Sequence, residues 1–99
     1  MDIKKLQEEI YRNRVKQGFN LTGIEKELIL LMEELGEAAR AYRRKGKEAL
    51  AEEITDLIVY CLGFHSILGV DSEKELKRKI KVIKKRKYKK TKTGYDIRI

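Results

Sequence analysis

Residues 54–64 contain Leu57, Ile58, Val59, Tyr60, Cys61, Leu62 and Phe64, so that a helix wound from them is apolar around almost its whole circumference. Such a helix is stable only where neighbouring elements cover it, and it therefore has to sit at the centre of the fold. The longest apolar run, 57–64, is too short to span a bilayer, which leaves protein as the cover. A chain of 99 residues makes one domain with a modest core. One copy has too little apolar surface to enclose this helix, and the expected assembly is a homodimer, or a tetramer built from it.

The rest of the chain reads as helix too. Pro is absent, Glu, Lys, Leu and Ile are abundant, and no internal repeat is visible. The spacing predicts helices over about 3–16, 22–44, 48–68 and 72–87. Ile3, Leu6, Ile10 and Val15 stripe the first, which ends at Gly18. Thr22-Gly23-Ile24-Glu25 has the form of a capping box opening the second, on which Ile24, Leu28, Leu31, Leu35, Ala38 and Tyr42 share a face. Lys45-Gly46-Lys47 breaks that helix. Gly69 is expected to cap the third, and Asp71 or Ser72, with the box Ser72-x-x-Glu75, to open the fourth. The tail, 88–99, reads as irregular with a turn at Gly94. The expected fold is an all-α four-helix bundle forming a single domain over 1–99. Helices two and three make its central antiparallel hairpin and helices one and four flank it.

Two acidic motifs border the apolar faces of that hairpin: Glu33-Glu34-Leu35-Gly36-Glu37 and Glu53-Ile54-Thr55-Asp56. Glu34 and Glu37 are three apart, as are Glu53 and Asp56, so each pair projects from one face of its helix. Four residues on from them stand Ala38, Ala41, Leu57 and Tyr60, where a helix usually supplies a Lys or Arg. Only Glu37, with Arg40 three residues on, has a local counterion. Like charges at this spacing cost roughly 0.2–0.5 kcal/mol per pair when exposed, and more when desolvated. A divalent cation resolves the conflict, and an all-oxygen ligand set suits Mg2+ or Mn2+. In a chain this rich in charge the bland alternative is a solvated acidic face.

Net charge divides along the chain. Residues 1–73 carry −3, residues 74–92 carry +11 from twelve bases and Glu75, and the last seven cancel, giving +8 in all. The basic arm has three readings: a nucleic-acid surface, a contact for the phosphates of a small ligand, or a solvated face.

The two motifs resemble the signature of the MazG-like nucleotide pyrophosphohydrolases of the all-α NTP pyrophosphatase superfamily, Glu-Glu-x-x-Glu, a spacer, then Glu-x-x-Asp. The resemblance covers about 24–88 and includes Leu35-Gly36-Glu37-Ala38 and the apolar helix after Asp56. It implies Mg2+-dependent hydrolysis of a nucleoside triphosphate between the α and β phosphates to the monophosphate and pyrophosphate, in cleansing of the nucleotide pool. Glu34, Glu37, Glu53 and Asp56 would then be metal ligands. Glu33 would be a further ligand or a base that positions water. Family members carry a Lys, an Asn, an Arg and a Tyr in the last helix and its exit. Lys79, Arg86 and Tyr88 match as substrate-binding residues, whereas Ile83 stands where the Asn would be.

Two alternatives stand beside this reading. One is a phosphoribosyl-ATP pyrophosphatase of the same superfamily. The other is a non-enzymatic nucleic-acid-binding or interaction protein that uses the arm at 74–92, although Tyr88 is the arm's sole aromatic and no helix-turn-helix, zinc or RNA-binding motif is present. Other residues take bland readings. His65 is a satisfied core or interface histidine, Cys61 a small core residue, and Tyr42 and Tyr60 core or pocket walls. Tyr11 and Phe19 carry little signal, and Arg43-Arg44-Lys45-Gly46 reads as a solvated helix end. A charged N-terminus without the apolar segment of a signal peptide makes a soluble, cytoplasmic protein the expectation.

Overall fold

Four helices and a terminal β-hairpin make up the computed structural model, which describes residues 2–91 and 94–98, with side-chain surroundings as far as Arg86. α1 spans Ile3–Gln17, α2 Ile24–Lys45, α3 Lys47–Ile67 and α4 Ser72–Lys85. Asp2 caps α1 by accepting from the Lys5 N–H at 3.2 Å. Asp71 caps α4 in the same way, accepting from the Lys74 N–H at 3.2 Å. Each supplies an acceptor to an amide that has no partner within its helix.

Two of the sequence-based caps differ. α2 begins at Ile24 behind Gly23, and Asn20, not Thr22, holds that entry. The Asn20 side chain accepts from the Gly23 N–H at 3.1 Å and donates to the Gly23 carbonyl at 2.9 Å. An Asn can serve both backbone groups at once, which a Thr hydroxyl does less well. Ser72 is likewise no cap: it is fully buried as the first residue of α4, and its hydroxyl is 2.8 Å from His65 Nδ1.

A single residue joins α2 to α3. Gly46 has φ 88° and ψ −165°, a region that only glycine adopts without strain, so the chain reverses there with almost no loop. The two helices form the expected antiparallel hairpin. α1 packs across α3, and α4 leaves α3 at 108° and touches α1 and the end of α3. Among the described residues no Cα of α2 comes within 8 Å of a Cα of α4.

α3 is less enclosed than its composition requires. Only Gly63 and Phe64 of this helix are buried, while Ile54, Ile58 and Val59 are 42, 57 and 44% exposed. The partner face of α2 is equally open, with Leu28 50% and Leu35 60% exposed. The cause is geometric: α1 packs on one side of the hairpin and α4 turns away, so nothing among the described residues lies over the other side. No single described helix is long and apolar enough to cross a membrane.

The tail is ordered as two antiparallel strands, β1 Lys87–Thr91 and β2 Gly94–Arg98, where an irregular segment was expected. In the ladder register Tyr88 stands opposite Ile97 and Lys89 opposite Asp96. This pattern is short enough to be masked by the surrounding lysines. Arg86 is already extended, so α4 ends at Lys85, before the predicted 87.

Candidate active site

The short α2–α3 turn brings the end of one acidic motif beside the start of the other. Glu37 and Glu53 line a cleft of about 270 Å3 together with Arg40, Ala41, Arg44, Lys45, Ala49 and Glu52. Glu37 also lines a shallower groove on the outer side of α2 with Glu33, Ile29, Met32, Gly36 and Arg40. Glu34 and Asp56 line neither. Glu34 and Glu53 are half-buried, and Glu33, Glu37 and Asp56 are exposed.

Local counterions fall as the spacing indicated. Arg40 donates to Glu37 Oε1 at 2.5 Å, and among the described residues Glu33, Glu34, Glu53 and Asp56 have no ion-pair or hydrogen-bond partner. Nor do any three Asp, Glu, His or Cys side chains among them stand close enough to hold a metal ion. The motifs are thus neighbours, but their carboxylates are splayed. Like charges drawn together without a cation between them repel, and flexible Glu side chains relieve that by pointing apart. In chemistry the donor set still suits a hard divalent cation: five carboxylates on adjoining turns of a hairpin, two of them half-buried and uncompensated.

Three cations of this cleft were not assigned to a site from sequence. Arg40, Arg44 and Lys45 stand with Glu37 and Glu53, whereas the run at 43–46 read as a solvated helix end. Their signal lay in the Gly46 turn, which folds the end of α2 against the start of α3. The residues expected to bind substrate phosphates are elsewhere. Lys79 is exposed on α4, Arg86 is half-buried at its end, and Tyr88 lies in β1 with its side chain outside the described residues. Neither Lys79 nor Arg86 is among the residues that line the cleft.

A buried polar layer fixes the hairpin below the acidic motifs. Glu27 of α2 is 1% exposed and Arg14 of α1 is 7% exposed, and the two form an ion pair. Tyr60 of α3 donates to Glu27 Oε2 at 2.7 Å, and its hydroxyl is also 3.1 Å from the Glu27 carbonyl oxygen. Arg14 donates to the Tyr60 carbonyl at 3.3 Å and lies over the Tyr60 ring, 4.9 Å from its centroid. Burial, followed by the hydrogen bond to the Glu27 carboxylate, pushes the Tyr60 hydroxyl well above its ordinary pKa. Gly63 leaves room for the guanidinium, since a Cβ there would come within 2.8 Å of Arg14 Cζ. A glycine inside an apolar helix was the one visible sign of this layer in the sequence.

A second polar cluster joins α1 to the α3–α4 connection. Gln7 donates to the Val70 carbonyl at 2.8 Å and accepts from the Ser72 N–H at 2.9 Å, and Ser72 bonds His65. His65 is therefore a satisfied structural histidine, as its isolation in the sequence suggested.

A family model described as the MazG nucleotide pyrophosphohydrolase domain matches residues 22–91. Among solved structures, the cyanophage S-2L MazG-like pyrophosphohydrolase bound to dGDP and three catalytic Mn2+ ions per active site is similar, with a TM-score of 0.74 and 21% identity. The match covers 100% of this chain and 99% of that one. At that identity the likeness is one of fold. No curated protein matches the chain in sequence.

Proposed function

Since the chain belongs to the MazG nucleotide pyrophosphohydrolase domain family, we propose that it hydrolyses nucleoside or deoxynucleoside triphosphates between the α and β phosphates, using Mg2+ or Mn2+ and releasing the monophosphate and pyrophosphate. The observation that carries this reading is the cleft at the α2–α3 turn, where Glu37 and Glu53 stand beside Arg40, Arg44 and Lys45. Carboxylates for a metal and cations for phosphate oxygens in one cleft are what phosphoanhydride hydrolysis needs. The dGDP and Mn2+ ions of the cyanophage protein support the same reading.

In this proposal Glu34, Glu37, Glu53 and Asp56 are the metal ligands, and Glu33 is a further ligand or the base that orients the attacking water. These carboxylates would hold divalent cations, which when bound would neutralise the non-bridging oxygens and stabilise the pyrophosphate leaving group. The Glu37–Arg40 pair is solvent-exposed, and breaking such a pair costs at most about 1 kcal/mol. Glu37 is thus free to turn to a metal and Arg40 to a phosphate. A second copy laid over the open faces of α2 and α3, as a homodimer or a tetramer built from it, would cover Leu28, Leu35 and Ile58. It would also give Lys79, Arg86 and Tyr88 a route to the triphosphate of a neighbouring copy.

Glu53→Gln and Asp56→Asn test the metal assignment. Each folded variant should lose Mn2+ affinity in calorimetry and most of its pyrophosphate release from a panel of NTPs and dNTPs. Wild-type turnover in both would overturn it.

A further inference from the structure

One face of α4 is unused by the proposed chemistry. Lys74, Lys77, Arg78, Lys81 and Lys85 line a groove of about 420 Å3 along that helix, with Val82 at its edge, and all are exposed. At 3.6 residues per turn these five cations centre roughly 130° around the helix from Lys79 and Arg86, and roughly 150° from the apolar Leu76, Ile80 and Ile83. The cationic face thus stays open even if a second copy covers the apolar one. Lys77 pairs with Glu73 at 3.9 Å and Arg78 with Glu75 at 2.8 Å, both at the surface, where such pairs are readily exchanged. Among the described residues Lys74, Lys81 and Lys85 have no acidic partner. The proposed catalytic cleft has cations of its own, and no residue of α4 lines it.

We propose that this face of α4 binds the phosphate backbone of duplex nucleic acid without reading its sequence. From Lys74 to Lys85 the helix rises about 16 Å, a length of duplex that carries about ten phosphates. The chemistry selects duplex over single strand, because the groove offers no aromatic on which an unpaired base would stack. It also selects backbone over base contacts. The face has no Asn or Gln for a bidentate base contact, and four of its five cations are lysines. Lysines on flexible stems suit phosphates at variable positions.

Fluorescence anisotropy of the full chain with labelled 20-bp duplexes, one A·T-rich and one G·C-rich, tests the proposal. Five phosphate contacts imply a loss of affinity of about 500-fold between 50 and 200 mM salt, equal for the two sequences. K74Q/K77Q/R78Q/K81Q/K85Q should abolish binding. If that variant does not fold, K74Q/K81Q/K85Q should reduce the salt effect to about 12-fold. K79Q/R86Q should bind duplex like the wild type. The proposal is overturned by no binding at 50 mM salt, by undiminished binding of the stripe variants, by equal loss in K79Q/R86Q, by a tenfold sequence preference, or by tighter binding to oligo(dT) or to phosphatidylserine vesicles than to duplex.

Discussion

Glu27→Gln breaks the buried layer of the fold while leaving the acidic motifs intact. Glu27 is 1% exposed and accepts from both Arg14 and Tyr60, so the substitution leaves a guanidinium that is 7% exposed without its carboxylate. Removing one partner of a buried ion pair costs about 3–5 kcal/mol. For a domain near 100 residues each kcal/mol lowers Tm by roughly 4–8 °C, so a fall of about 12–40 °C is expected at a fixed protein concentration. Tyr60→Phe removes only the hydroxyl, a bond to a charged acceptor in a partly buried site, and should cost about 1.5–2 kcal/mol. Differential scanning calorimetry of the two single variants and the double variant separates shared from independent contributions. Tyr60→Phe should cost less in the Glu27→Gln background, because the strongest acceptor is already gone. Alkaline pH provides a second readout. The Tyr60 pKa is raised on folding, so its contribution is whole below the unfolded value of 10.0 and is lost as pH climbs above it. Above pH 10 the wild type should therefore lose Tm more steeply than Tyr60→Phe. Strictly additive variants, each within about 2 °C of wild type, would refute the view that this layer sets how α1, α2 and α3 meet.

Two further outcomes follow from the cleft and from the open face of the hairpin. Arg44→Ala should raise KM for a triphosphate by about 10-fold or more, the worth of one charge-assisted hydrogen bond, while monophosphate inhibition changes little; an unchanged KM would return Arg44 to the solvated end of α2. Leu28→Glu with Leu35→Glu places two charges where the hairpin is half or more exposed, so the folded variant should run as a monomer in sizing with light scattering, whereas the wild type should run as a dimer or larger. A wild-type monomer at micromolar concentration would remove the second copy from the proposed site.

What the sequence made legible was periodic or local. The apolar circumference of 54–64 marks α3, the Gly46 break marks the hairpin, and the i,i+3 spacing anticipates the Glu37–Arg40 pair. Interactions across long separations left almost no trace. Arg14, Glu27 and Tyr60 belong to three helices, and each alone reads as a surface charge or a wall residue. Asn20 took the role assigned to Thr22 because the competition between two nearby polar side chains is decided by loop geometry and not by residue type. The β pairing of 87–98 was obscured by charge, since lysine-rich strands hide the alternation on which a strand is recognised.

In the proposed oligomer the exposed side of α3 and the splayed carboxylates would be resolved together. Glu53 and Asp56 precede Ile58 and Val59 on the same helix, and in a single chain both acids and aliphatics face solvent to a degree that neither function nor composition requires. A second copy laid over the aliphatics would strip water from the acids as well. Desolvation raises the cost of leaving carboxylates unpaired and strengthens their attraction for a divalent cation. Assembly and metal binding would then reinforce each other. The gathered site would belong to the metal-loaded oligomer, and the lone chain would keep its acids apart because nothing yet compensates their charge.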